Sequence, residues 1–253
     1  MRFDVLTIFP DLLSSPLQEG IIQRALTAGK VAVHMHNIRD CALDKHAMTD
    51  DRPFGGGEGM VMKPEPIAAS LEKIESEAPG GRVILLSPQG RRYDQEMARE
   101  LAGLSHIVLI CGRYEGVDER IHQYWVNEEI SIGDYILTGG ELAAMILIDS
   151  ITRLLPGVLG CNESAERDAF SQGMLKHPQY TRPRVFQGHE VPEVLLSGDH
   201  RQISEWRFAA AVKNTAKKRP ELLLTRGFSP AELLILKKYK VDLPFPVREE
   251  KAV

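Results

Sequence analysis

Between Phe3 and Cys111 short apolar runs alternate with amphipathic stretches, and this alternation constrains the fold more than any other feature of the chain. The runs Phe3–Phe9, Val31–Asn37, Arg82–Ser87 and His106–Cys111 are rich in β-branched and aliphatic residues, as buried strands are. Between them, Pro66–Glu77 sets Ile67, Leu71 and Ile74 at helical spacing, and Tyr93–Leu101 does the same with Met97 and Leu101. Strands that alternate with helices predict an α/β fold built on a parallel sheet covered on both faces. A further apolar stretch, Gly140–Leu154, follows a glycine-rich turn and reads as one more helix.

The pattern changes after Pro156. Residues 160–175 are small, polar and charged without a sustained period, which predicts a flexible linker between a body of residues 1–159 and a second one of residues 176–253. The second body reads as helical: Asp199 is a good N-cap for a helix carrying Ile203, Trp206 and Ala210, with Trp206 expected in the core. Ser229-Pro230-Ala231-Glu232 is a capping box with proline at the first helical position. It is also basic. From Arg201 to Lys251 there are 12 Lys or Arg against 6 Asp or Glu, a surplus of 6 in a chain whose net charge is -4. Such asymmetry suggests an RNA-facing module on a more acidic body, or else a solvated helical surface.

Several classes are excluded. The apolar stretches are far too short for a membrane span, which needs roughly 18 residues or more, and the N-terminus has no secretory pattern, so a cytoplasmic protein is expected. Cys41, Cys111 and Cys161 are too few and too widely spaced for a disulfide framework or a thiolate zinc site. Asn162-Glu163-Ser164 matches a glycosylation acceptor but reads as a loop. No glycine turn follows the first strand, Gly55–Gly59 does not fit G-x-G-x-x-G, and P-loop, H-E-x-x-H and G-x-S-x-G sequences are missing.

Three segments lie close behind strand ends, where ligands of open α/β sheets bind: LLSPQG at Leu85–Gly90, CGRYEGVDER at Cys111–Arg120, and SIGDYILTGGEL at Ser131–Leu142. With GGGEGM at Gly55–Met60, LLPGVLG at Leu154–Gly160, HPQYTRP at His177–Pro183 and VPEVLLSGDH at Val191–His200, they carry a resemblance over essentially the whole chain. The chain resembles the bacterial tRNA (guanine-N(1)-)-methyltransferases of the SPOUT superfamily. The resemblance implies a parallel sheet with a deep C-terminal trefoil knot, a small helical C-terminal domain that binds tRNA, and a homodimer with shared active sites.

It also implies S-adenosylmethionine as methyl donor, held by Leu86, Ser87, Pro88, Gly112, Tyr114, Ser131, Ile132, Gly133, Asp134, Tyr135, Ile136, Leu137, Gly139 and Gly140. At Ala143 many relatives have proline. By the same analogy Asp168 is the general base and Arg153 stabilises negative charge on the guanine oxygen. Glu115 contributes electrostatically or through a metal, or is an exposed turn carboxylate. Magnesium is expected without a site. The target is the guanosine directly 3′ of the anticodon, contacted by Asp50, Arg52, Gly57 and Glu58, with Ser164, His200, Arg201 and Arg207 as further tRNA contacts and Lys213, Lys217, Lys218 and Arg219 gripping phosphates. Two rivals stay open: another knotted methyltransferase acting on ribosomal RNA or a ribose hydroxyl, and a non-catalytic RNA-binding protein.

Overall fold

The computed structural model describes residues 1–160, 168–243 and 245, which fall in two compact units, Met1–Asn162 and Glu163–Val253. The expected Cys161, the Asn162-Glu163-Ser164 tripeptide and Ser164 as an RNA contact therefore lie outside the described residues.

In the first unit five parallel strands form one sheet: β1 (Arg2–Thr7), β2 (Ala32–Asn37), β3 (Arg82–Arg92), β4 (His106–Cys111) and β5 (Glu128–Ser131), in the order β2-β1-β4-β3-β5. All of β4 is buried, as the unbroken apolar run Ile107–Cys111 requires of a central parallel strand. Successive side chains point to opposite faces. Ile107, Leu109 and Cys111 join Ile84 and Leu86 in one core, whereas Val108 and Ile110 join Leu85 in the other. Helices α1 (Gly20–Thr27), α3 (Gln95–Ala102) and α5 (Glu141–Thr152) cover the first face, and α2 (Pro64–Glu77) and α4 (Glu119–Tyr124) the second. Pro64 and Pro66 preset the first turn of α2, while the Asp94 side chain caps α3 by accepting from Met97 N at 2.9 Å.

β1 ends at Thr7 rather than Phe9, and the larger departures from expectation are in β5 and β3. β5, with the sequence EEIS, has no apolar run to announce it. β3 runs on to Arg92: its ladder with β5 stops at Leu86 opposite Ile130 and resumes at Arg91 opposite the same residue, so Ser87–Gly90 bulges out of the sheet. Gly90 is required there. A Cβ on it would fall 2.4 Å from the Glu129 carbonyl carbon and the Ile130 nitrogen.

On the α2 face, Asp4 of β1 is fully buried, yet it is surrounded by partners. Arg2 donates to it through Nε at 2.6 Å and Nη2 at 2.9 Å, and the Nε2 atoms of His36 and His106 lie 2.6 and 2.7 Å from its oxygens. Burial pushes the carboxyl up, but the hydrogen bonds from His36, Arg2 and His106 outweigh it and hold Asp4 well below the usual carboxylate range.

The second unit holds α6 (His200–Lys218), α7 (Glu221–Thr225), α8 (Pro230–Lys238) and a small antiparallel ladder, Val185–Phe186 with His189–Glu190. Asp199 caps α6 by accepting from Gln202 N, and the Ser229–Glu232 capping box opens α8. The core contains Met174, Ala211, Val212, Leu223, Phe228 and Leu236. Residues 168–175, expected as part of a flexible linker, belong to this core region: Met174 is buried, Phe170 N donates to Met174 O at 2.8 Å, and Leu175 N donates to Thr215 Oγ1 at 2.9 Å. Trp206 is half-buried rather than core, its ring centroid 6.4 Å from those of His177 and Tyr180. Among the described residues no helix is long and apolar enough to cross a membrane.

Asp4→Asn should cost about 3 kcal/mol at neutral pH, as removal of one member of a buried charged network does. Because the folded carboxyl is held low, its stabilisation is complete above the unfolded value near pH 4 and is lost as pH falls towards the folded one. Calorimetry should therefore find the gap in melting temperature between wild type and variant narrowing from about pH 5 downward; a constant gap would contradict this account.

Candidate functional site at the carboxyl ends of the strands

Three chain segments, the bulge within β3 and the stretches following β4 and β5, lie side by side and surround a cleft of about 530 Å³, within the range of small-molecule sites. The bulge supplies Ser87, Pro88 and Gln89, with Leu86 at its root; the turn after β4 supplies Gly112–Val117; and the segment after β5 supplies Ser131–Gly133 and Tyr135–Gly140. Of the residues expected around the donor, the cleft brings together all but Asp134, which is exposed beside it.

The wall after β5 is held by hydrogen bonds to its main chain. Gly133 N donates to Ser131 Oγ at 3.2 Å, Tyr135 OH donates to Ile132 O at 3.3 Å, and Gly140 N donates to Gly112 O at 3.0 Å, fastening this wall to the one after β4. Beneath the junction lies an ion pair the sequence reading did not foresee. Glu141, the first residue of α5, is 2% exposed and takes Arg113 Nη2 at 2.9 Å and Arg113 Nε at 3.1 Å. Its Oε1 also accepts from Thr7 Oγ1 of β1 at 2.7 Å, and the Arg113 guanidinium lies 4.5 Å above the Phe9 ring. Gly139 must be glycine here, because a Cβ would fall 2.2 Å from Arg113 Nε. Burial pushes the neighbouring Cys111 thiol well up, so it is an inert floor rather than a nucleophile. Ala143 is buried and borders the cleft near the start of α5.

Glu115 is exposed on the same rim, its side chain over Gly59. The loop carrying GGGEGM is stitched to this rim: Glu115 N donates to Met60 O at 3.0 Å, Met62 N to Gly116 O at 2.9 Å and Asp118 N to Met62 O at 3.0 Å. Asp50 pairs with Met62 at the loop's base, and Arg52, Gly57 and Glu58 are exposed on it. His122 of α4, also unforeseen, borders the cleft with Nδ1 2.9 Å from Glu129 Oε1.

The expected general base, Asp168, and the expected charge-stabilising Arg153 lie in different units. Arg153 is the C-cap of α5, its backbone N donating to Asp149 O at 3.2 Å. Asp168, in the second unit, accepts from Lys176 Nζ at 3.0 Å and is 25% exposed. On the same unit His200, Arg201, Arg207, Lys213, Lys217, Lys218 and Arg219 are exposed along α6 and its C-cap. Two are engaged: Arg201 with Glu205 at 3.1 Å, and Arg219 with Glu221. Among the described residues no group of three or more His, Cys, Asp or Glu could hold a metal ion, so the expected magnesium finds no such set and no step below passes through it.

Comparison with known proteins gives a concordant result. The family described as "tRNA (Guanine-1)-methyltransferase TrmD" matches residues 1–225. The chain is 55% identical to a tRNA (guanine-N(1)-)-methyltransferase of Geobacter sulfurreducens over 88% of this chain and 91% of that one. It is 53% identical to the protein of the same name from Geobacillus kaustophilus, with the same coverage. Among solved structures, the tRNA (m1G37) methyltransferase from Aquifex aeolicus matches with a TM-score of 0.72 and 41% identity, covering 87% of this chain and 93% of that chain.

Glu141→Gln leaves Arg113 without its charge partner and should cost about 3 kcal/mol. Because the pair joins β1, the turn after β4 and α5, the loss should reach ligand binding in the cleft as well as the melting temperature; a variant as stable as wild type would remove the pair from this role.

Proposed function

The chain belongs to the tRNA (guanine-1)-methyltransferase family, and from that premise we propose how its cleft and second unit divide the work. The activity of the family is transfer of a methyl group from S-adenosylmethionine to nitrogen 1 of a guanine in tRNA. The observation that carries the reading is the convergence of three strand-end segments on one cleft, with small residues along its walls.

S-adenosylmethionine supplies an electrophilic methyl group on a sulfonium. The residues named above around the cleft hold it, chiefly through main-chain groups of 86–88, 112 and 131–140, where small side chains let backbone approach closely. Asp134, exposed beside the cleft, has no support as a lining residue. The threading of this region into a trefoil knot is part of the same proposal, supported by the strand order and by the return of residues 132–140 across the turn after β4.

Nitrogen 1 of guanine carries a proton, so its methylation needs a base for that proton and a cation for the charge that spreads to the ring oxygen. Asp168 is the proposed base and Arg153 the proposed cation. Glu115, on the rim between cleft and loop, adds negative potential towards the sulfonium side. The proposed target is the guanosine directly 3′ of the anticodon, a reading supported by the name tRNA (m1G37) methyltransferase that the Aquifex aeolicus enzyme carries. Asp50, Arg52, Gly57 and Glu58 face it, and His200, Arg201, Arg207 and the lysines of α6 take the phosphates, with Ser164 a further contact. A loop guanosine can leave its stack far more readily than a paired one.

A homodimer with shared sites completes the proposal. Leu142 and Ile146, one turn apart on α5, remain 60% and 43% exposed, and α5 packs against the Pro10–Leu13 turn, where Leu12 is 53% exposed. Apolar side chains grouped in this way fit burial against a second copy. Sedimentation equilibrium should give twice the chain mass; the mass of one chain would remove this part. The site of action is the cytoplasm, where tRNA is modified.

The decisive experiment incubates the protein with labelled donor and unmodified tRNA and identifies the product by nucleoside mass spectrometry. Formation of 1-methylguanosine is expected; a ribose-methylated product would favour a different knotted methyltransferase, and no saturable donor binding a purely RNA-binding role. Asp168→Asn should slow single-turnover transfer about 10²-fold or more while donor affinity stays within about twofold. Near-normal transfer in that variant would defeat the assignment of the base.

A further inference from the structure

One side chain on the loop beside the cleft has no place in the reading so far. Phe54 is 100% exposed. The loop around it is firmly held at its base and open at its tip. Asp50 and Asp51 pair with Met62 and Val61, Lys63 N donates to Thr49 O at 2.8 Å, and Met60 and Met62 are hydrogen-bonded to the rim of the cleft. At the tip, Gly56 N donates to Pro53 O at 3.3 Å, closing a turn with Phe54 and Gly55 at its two central positions. Gly55 has φ +86°, which the second central position of such a turn reserves for glycine. A Cβ built on Gly55 or on Gly56 would meet nothing within 4 Å, so the turn beside the ring is open. Arg52, two residues earlier, is exposed on the same loop.

A phenyl ring exposed at the corner of a hydrogen-bonded turn, two residues from an exposed guanidinium and on a loop whose base is tied to the rim of the proposed methyl-transfer cleft, has the form of a stacking platform. Every nucleobase has a flat face that a ring can cover, and stacking of one base on an aromatic side chain is worth about tenfold to a hundredfold in affinity. We propose that Phe54 stacks on an unpaired nucleobase adjacent to the target guanine and so fixes the tRNA loop while that guanine enters the cleft. This inference rests on the tRNA reading above and adds a substrate-contacting residue to it.

The test compares wild type with Phe54→Leu, which keeps an apolar side chain but removes the ring, and Phe54→Trp, which enlarges the ring. Phe54→Leu should lower kcat/KM for a tRNA transcript about tenfold or more, with donor affinity, melting temperature and sedimentation unchanged, while Phe54→Trp stays within about twofold of wild type. A stem-loop RNA carrying 2-aminopurine beside the target guanine should lose fluorescence on binding wild type and the Trp variant but not the Leu variant. Equal kcat/KM for Phe54→Leu and wild type would overturn the proposal. So would a loss in the Leu variant accompanied by a lower sedimenting mass, which would mean that a second copy of the chain covers the ring. If wild type forms no 1-methylguanosine, the functional reading fails, and the 2-aminopurine signal, which needs no transfer, still decides the role of Phe54.

Discussion

The buried contact between Arg113 and Glu141 is the constraint on which the cleft depends. Three separate parts of the chain meet at one carboxylate: β1 through Thr7, the turn after β4 through Arg113, and α5, of which Glu141 is the first residue. A charge so deeply buried is tolerated only with its lone pairs engaged, so the three parts are committed to one arrangement. The Phe9 ring beneath the guanidinium and the close approach of Gly139 fill the remaining space. The positions of the turn after β4 and of the start of α5, both of which border the cleft, are thereby set from below.

The sheet reaches the same end by a different route. Alternation along β3 and β4 feeds two cores, one on each face, and leaves the carboxyl ends of the strands as the place where chain exits without a covering helix. The bulge at Ser87–Gly90 pushes one exit outward and the backbone bond from Gly140 to Gly112 draws another inward, giving the space between them its shape. Specific chemistry is then added, as proposed, by Glu115 on the rim and by Arg153 and Asp168 from two different units.

Much of this was legible in the sequence. The strands at Arg2–Thr7, Ala32–Asn37 and His106–Cys111 announce themselves by apolar runs, and the caps at Asp199 and Ser229 follow from short-range chemistry. β5 did not, because two of its four residues are glutamates and its burial comes from β3 rather than from its own composition. The bulge was hidden because a serine, a proline, a glutamine and a glycine read as the end of a strand, whereas pairing resumes beyond them. Most of the cleft was legible only through resemblance, since single glycines do not say which backbone they must approach. The Arg113–Glu141–Thr7 contact joins residues 134 positions apart at its extremes and has no local signature. The seating of Met174 in the helical core was equally silent, as one methionine in a polar stretch carries no period.

The three backbone hydrogen bonds that tie Met60 and Met62 to residues 115–118 divide the loop into two kinds of sequence. From Met60 onward the main chain is part of the wall of the cleft and its register is shared with that wall. From Arg52 to Glu58 the side chains are mostly exposed and the chain is free of that register. The loop is therefore an exchangeable cartridge on a fixed socket: its length and recognition chemistry can be redrawn, by natural drift or by design, while the socket beneath retains its shape.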